Sequence, residues 1–148
     1  MKDKKIIIAI ICFCLVAVSA LAILHNQTRA AVPDGCIRIE GQKDVTFKLS
    51  DVQTTPKSGR TYNKKGESKK ISGEGIDICD LITGYVSSDY EEITVVSDDE
   101  YKAVISKAEL EIPDNAVLMI ENSSARLYVF NDTYSGRNVS NVKRIIVK

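Results

Sequence analysis

The side chains able to do chemistry are few, and their spacing does not suit it. His25 is the only histidine, and it follows an apolar run near the N-terminus instead of lying in the folded part. Histidine general acid–base catalysis and histidine metal sites are therefore not expected. The sequence has no Gly-rich phosphate loop, nucleophile elbow or Cys-x-x-Cys pair. Glu91 with Glu92, and Asp98 with Asp99, are adjacent carboxylates. Neighbours on a strand point to opposite faces, so these pairs cannot converge on one substrate. The acids at Asp89, Glu91 and Glu92 lack calcium-loop spacing and read as turn chemistry.

Cys12 and Cys14 lie inside the apolar run and read as apolar filler. Cys36 and Cys79 lie beyond it. In an oxidising compartment they can form a disulfide closing a loop of about 44 residues, worth on the order of 4 kcal/mol. The alternative is two separate buried thiols, and spacing alone does not choose between them.

Residues 57–70 are the most basic stretch, with Lys57, Arg60, Lys64, Lys65, Lys69 and Lys70 against the single acid Glu67. One reading is a patch for an anionic ligand or membrane headgroups, built from Arg60, Lys64, Lys65, Lys69 and Lys70, with Tyr134 and Arg137 as secondary members. The other is a solvated loop or edge hairpin. Acids and bases balance at 20 each, so no global charge points to nucleic acid. Asn26, Asn122, Asn131 and Asn138 head Asn-x-Ser/Thr sequences. These are sugar acceptors in a glycosylating host and turn-forming asparagines in a bacterium.

The placement of these groups follows from the elements around them. Residues 6–24 carry no charge and no proline and follow Lys2, Lys4 and Lys5. As a helix rising 1.5 Å per residue, the run covers about 28 Å, close to one hydrocarbon core. The lysines put residues 1–5 on the cytoplasmic side and everything after residue 24 outside. An uncleaved signal anchor competes with a signal peptide cut after Ala20 or Ala30. The length of the run favours the anchor, giving a single-pass membrane protein; cleavage gives a secreted one. Residues 25–34 read as a linker.

Residues 35–148 then form one domain. Ile37 and Ile39, then Val45, Phe47 and Leu49, alternate with polar residues as two paired strands. Ser50 is placed to cap a short helical turn that Pro56 stops. Ile71 falls in a strand. Ile78, Leu81 and Ile82 share one side of a short helix within residues 75–82, ended by Gly84. Residues 93–96 and 101–105 read as a hairpin, residues 106–110 as a turn, and residues 117–120 and 126–130 as a second strand pair. Residues 145–147 form a closing strand. Six to eight strands with two or three short helical pieces define an α+β, mainly β domain.

From Cys36 onward the motif order resembles the sulfite oxidase-like, molybdopterin-dependent oxidoreductase domain. Ile37-Arg38-Ile39-Glu40-Gly41 and Val45-Thr46-Phe47-Lys48-Leu49-Ser50-Asp51-Val52 are similar to its opening strand pair. Gly75-Ile76-Asp77-Ile78-Cys79-Asp80-Leu81-Ile82 resembles its glycine-led helix, and Ile93-Thr94-Val95-Val96-Ser97-Asp98-Asp99-Glu100-Tyr101 its hairpin. Arg126-Leu127-Tyr128-Val129-Phe130 and the segment from Val139 to Val147 resemble its closing strands. The resemblance implies a compact mixed-sheet fold. It also implies a molybdenum-binding cysteine before the glycine-led helix, a soft thiolate suited to that metal. Residues 58–72 hold no cysteine there.

The chain is accordingly expected to be a membrane-anchored, extracytoplasmic, non-catalytic binding or accessory domain with no cofactor, contacting a protein partner or an anionic ligand. Two alternatives stand beside it. One is a molybdopterin-dependent oxidoreductase completed by a partner, and the other is a structural cell-surface protein.

Overall fold

The computed structural model describes residues 2–28, 31–87, 89–133 and 135–148. They form two compact units, Met1–Ala31 and Val32–Lys148. The first holds the helix α1, Lys2–Thr28. Ile7, Ile8, Ile10, Ile11, Phe13, Leu15, Val16, Val18 and Leu21 are all exposed on it, and these positions fall on every side of a helix with a 3.6-residue turn. Among the described residues, no helix is long and apolar enough to cross a membrane. The side chains described in α1, residues 7–8 and 10–22, are a shorter stretch than the uncharged run in the sequence.

The second unit is mainly β, with two sheets and two short α-helices. Its strands are β1 (Cys36–Glu40), β2 (Val45–Lys48), β3 (Thr55–Tyr62), β4 (Ser68–Asp77), β5 (Glu92–Ser97), β6 (Lys102–Ser106), β7 (Ala116–Glu121), β8 (Ser124–Val129) and β9 (Val142–Val147). Nine strands among the described residues exceed the six to eight expected. One sheet is ordered β2-β1-β9-β5-β6 and the other β3-β4-β7-β8. The only parallel pairing among the described strands is β1 with β9, registered Arg38 to Arg144.

The sheets share one core. Ile37, Ile39, Ile93, Val95, Ile105 and Ile145 from the first meet Leu118, Leu127 and Val129 from the second. The helix α2 (Ile78–Thr83) adds Ile78, Leu81 and Ile82 to it. Among the described residues, every buried core side chain belongs to Val32–Lys148, so this unit carries its own hydrophobic core, the property that lets a domain fold alone. A short helix α3 (Lys107–Leu110) replaces the turn expected at residues 106–110. It is closed by a capping box in which Ser106 and Glu109 satisfy each other's backbone amides.

Two local expectations are corrected. Ser50 does not cap the 3-10 turn Leu49–Asp51; Lys48 holds that position without a side-chain bond, and the Ser50 hydroxyl instead donates to Asp51. Pro56 stops nothing and sits inside β3. Gly84 ends α2 as expected, at φ −72° in the right-handed region. The helix itself begins at Ile78, because the Asp77 carboxylate accepts from the Cys79 amide as its N-cap while residues 75–77 continue β4.

Candidate anion-binding hairpin

The basic stretch folds as an edge hairpin. Of the ten residues of β4, only Gly75, Ile76 and Asp77 pair with β7. The rest pair with β3 from Gly59–Ile71 to Tyr62–Ser68 and beyond, which leaves a two-stranded ribbon. The turn is held by Asn63. Its Oδ1 accepts from the amides of Lys65 and Glu67 at 2.9 and 3.0 Å, and its Nδ2 donates to Glu67 Oε2 at 2.6 Å. The only acid of residues 57–70 is thus held by an asparagine. Gly66 supplies the left-handed residue of the turn at φ +80°.

Arg60, Lys64, Lys65, Lys69 and Lys70 are all exposed. Among the described residues, none of the five makes an ion pair. They do not form one surface. Arg60 and Lys70 are cross-strand partners and share a face; Lys69, opposite Thr61, projects from the other. Lys64 and Lys65 occupy the turn.

That other face is apolar, because sheet β3-β4-β7-β8 curls until its edges meet. Phe130, just after β8, packs over Gly59 of β3 and joins Val117, Met119, Ile71 and Tyr128 in a second cluster. The Ser135 hydroxyl donates to the Tyr62 carbonyl at 2.7 Å across the same seam. Lys57 is withdrawn from the patch by an ion pair with Asp114 at 2.5 Å, and the hydrogen bond it donates to that carboxylate, against the opposing effect of burial, raises its pKa.

Arg137 is engaged within the fold. It donates to both oxygens of Asp132, to Glu109 Oε1 at 2.7 Å and to the Val104 carbonyl at 3.2 Å, which ties the edge of β6 to the segment after β8. Tyr134 lies outside the described residues.

Cys36 and Cys79 are free thiols, both half-buried. They sit near opposite ends of the first sheet. Cys36 begins β1 at the end where β9 starts. Cys79 lies close enough to Tyr90 to act on its hydroxyl, and Tyr90 adjoins Glu91, whose amide donates to the Lys148 carbonyl just past the end of β9. The intervening strand spans roughly 20 Å, far more than a disulfide bridges. Burial, then the neighbouring thiol, pushes the Tyr90 hydroxyl up.

An open cleft of roughly 500 Å³ is lined by Cys36 together with Asp34, Asp98, Ser123, Asn141 and Lys143. Its one lysine already pairs with Asp34 at 2.9 Å. Two carboxylates against one neutralised cation do not suit the phosphate of a pterin cofactor, and the residues present do not fit that group. Among the described residues, no group of His, Cys, Asp and Glu is arranged to hold a metal ion.

No protein-family model matches the chain. No curated protein matches it either.

The sequence shows the basic residues but not their division between faces, which depends on register. The signal that sets it is the Asn63-to-Glu67 turn with alternation on either side: Ser58, Arg60 and Tyr62 against Gly59 and Thr61. The Arg137 hub joins the nearby Asp132 to Glu109 and Val104, which are distant in the chain, and the distant partners leave no local sign.

Proposed function

We propose that the chain is a membrane-anchored, extracytoplasmic, non-catalytic binding or accessory domain that contacts an anionic partner through the β3–β4 hairpin. The observation that carries this reading is the set of five exposed cations without ion-pair partners on one ribbon, whereas Lys57, Arg137, Lys143, Arg144 and Lys148 are ion-paired. Unpaired like charges held together repel one another, and an anion relieves that repulsion. A helix with apolar side chains all round, preceded by three lysines, supports anchoring with the domain outside. The motif order resembling the sulfite oxidase-like domain supports a scaffold kept without its metal thiolate, since residues 58–72 are hairpin and contain no cysteine.

Two measurements test this reading. In cells making the full chain, the protein is expected in the membrane fraction, with residues 32–148 digested by protease added outside. A soluble or protected domain overturns the placement. On a sulfonate cation exchanger, the isolated domain is expected to elute at higher salt than a variant with Lys64, Lys65, Lys69 and Lys70 changed to serine. Equal elution, allowing for the change in net charge by comparison with a variant altered at four other lysines, removes the hairpin as the contact surface.

A further inference from the structure

The hairpin's exposed face has more chemistry than a row of charges, and the argument here rests on the reading of the hairpin as an anion-contact surface. The Asn63 amide donates to the Glu67 carbonyl, so that pair is a hydrogen-bonded one. Antiparallel pairs alternate between bonded and non-bonded. Tyr62–Ser68, Arg60–Lys70 and Ser58–Ser72 are therefore non-bonded pairs, the class in which facing Cα atoms come within about 4.5 Å and side chains lie closest. The Tyr62 carbonyl confirms this phase, because it points away from β4 to accept from Ser135.

Arg60 and Lys70 thus face each other at the closest spacing a sheet offers, both exposed and without ion-pair partners. Like charges directly opposite destabilise a sheet. The adjacent pair on the same face is Ser58 with Ser72, also exposed, two residues or about 7 Å along the strands. Beyond it, Glu74 opposite Pro56 lines a shallow depression together with Lys57, Ser58, Lys70 and Ser72; Arg60 stands outside that lining, across the strands from Lys70. The Glu74 carboxylate repels an anion from its side, which leaves the side of Lys70 next to Arg60 as the seat.

We infer that Arg60, Lys70, Ser58 and Ser72 form a clamp for a phosphate group on the open face of the hairpin. A guanidinium fork, an ammonium and two hydroxyls on two strands match an oxyanion with acceptors on several sides. A bound phosphate also cancels the Arg60–Lys70 repulsion, so it stabilises the fold as well as docking to it. The group can come from a phospholipid headgroup or from free phosphate.

Residues 32–148 are titrated with inorganic phosphate and, separately, floated with phosphatidylcholine vesicles made with and without phosphatidylglycerol. Inorganic phosphate is expected to saturate a single site and raise the melting temperature. R60K keeps the charge but loses the fork, and is expected to bind about tenfold more weakly, the loss of one charge-assisted hydrogen bond. The S58A/S72A double variant is expected to weaken binding likewise with no change of charge, whereas K43S, which removes a cation elsewhere, leaves affinity unchanged. Recruitment only to vesicles with phosphatidylglycerol, lost in R60K, assigns the phosphate to a headgroup. Phosphate binding without recruitment assigns it to a free ligand. If R60K and S58A/S72A bind phosphate as well as the parent, the clamp is overturned, while sulfonate retention shows separately whether the hairpin contact surface stands.

Discussion

Gly59 of β3 lies directly beneath the ring of Phe130: a Cβ on Gly59 would stand 2.5 Å from Phe130 Cδ1. This contact closes the curl of the second sheet, since β3 and β8 are its opposite edges. Gly59→Ala is expected to destabilise the domain by about 1–3 kcal/mol through overpacking. Phe130→Ala removes the obstruction, so the double variant should cost less than the two single costs together. Urea denaturation of the four proteins measures this, and strict additivity would refute the contact.

Asp77 serves two segments at once. Its carboxylate accepts from the Cys79 amide at 3.0 Å and from the Asp114 amide at 2.8 Å, which links the start of α2 to the loop before β7. Asp77→Ala leaves both donors unsatisfied and is expected to cost about 1–3 kcal/mol. Burial, opposed by these two amides, lifts the Asp77 carboxyl above its ordinary value. A raised acid binds its proton more tightly in the folded state, so the Asp77 contribution weakens as pH rises through the carboxylate range. Denaturation curves across that range, with and without Asp77, check both the size and the sign.

Glu109 has the opposite sign. Its bond to Arg137, reinforced by the amide and hydroxyl of Ser106 against the effect of burial, holds its carboxyl down to about 2. That stability is complete above the ordinary carboxylate value of about 4.3 and is lost as pH falls toward the folded value. Arg137→Met removes the cause. The variant is expected to be less stable at neutral pH by on the order of 1 kcal/mol, and to lose less than the parent between neutral pH and pH of about 2. Parallel acid-unfolding profiles would count against the hub.

Lys70→Glu converts the facing pair with Arg60 into opposite charges. It is expected to raise stability by about 0.2–1 kcal/mol while abolishing phosphate binding. Thermal melts and phosphate titration on the same sample check the two halves.

Cys36 and Cys79 should both be alkylated in the unfolded, unreduced domain, and mass spectrometry reads the two additions directly. A mass unchanged until a reductant is present would show a bond between them.

The alternating segments were legible because one side of each faces the core. Ile37 with Ile39 and Ile93 with Val95 are fully buried in the strands expected of them, and Ile78, Leu81 and Ile82 all point inward from the expected helix. β3 was not legible. Its residues Thr55 to Tyr62 include proline, glycine and lysine, which are poor strand formers. They form a strand because a partner is supplied across a tight turn, and Pro56 is tolerated because it falls in the phase whose missing amide would face the open edge. The cations were visible as a cluster, but their division between faces needed a pairing register. Arg137 showed only as a charge, since its partners Glu109 and Val104 lie about thirty residues away in the chain.

β9 follows the other eight strands in the chain, yet it lies between β1 and β5. During synthesis from the N-terminus, the first sheet therefore remains in two separate halves, β2-β1 and β5-β6, until the last strand arrives to join them. Until that moment Ile37 and Ile39 lack the β9 neighbour that completes their cover. The first sheet therefore closes only through its C-terminal strand, whereas β3-β4-β7-β8 has all its partners before β9 is made.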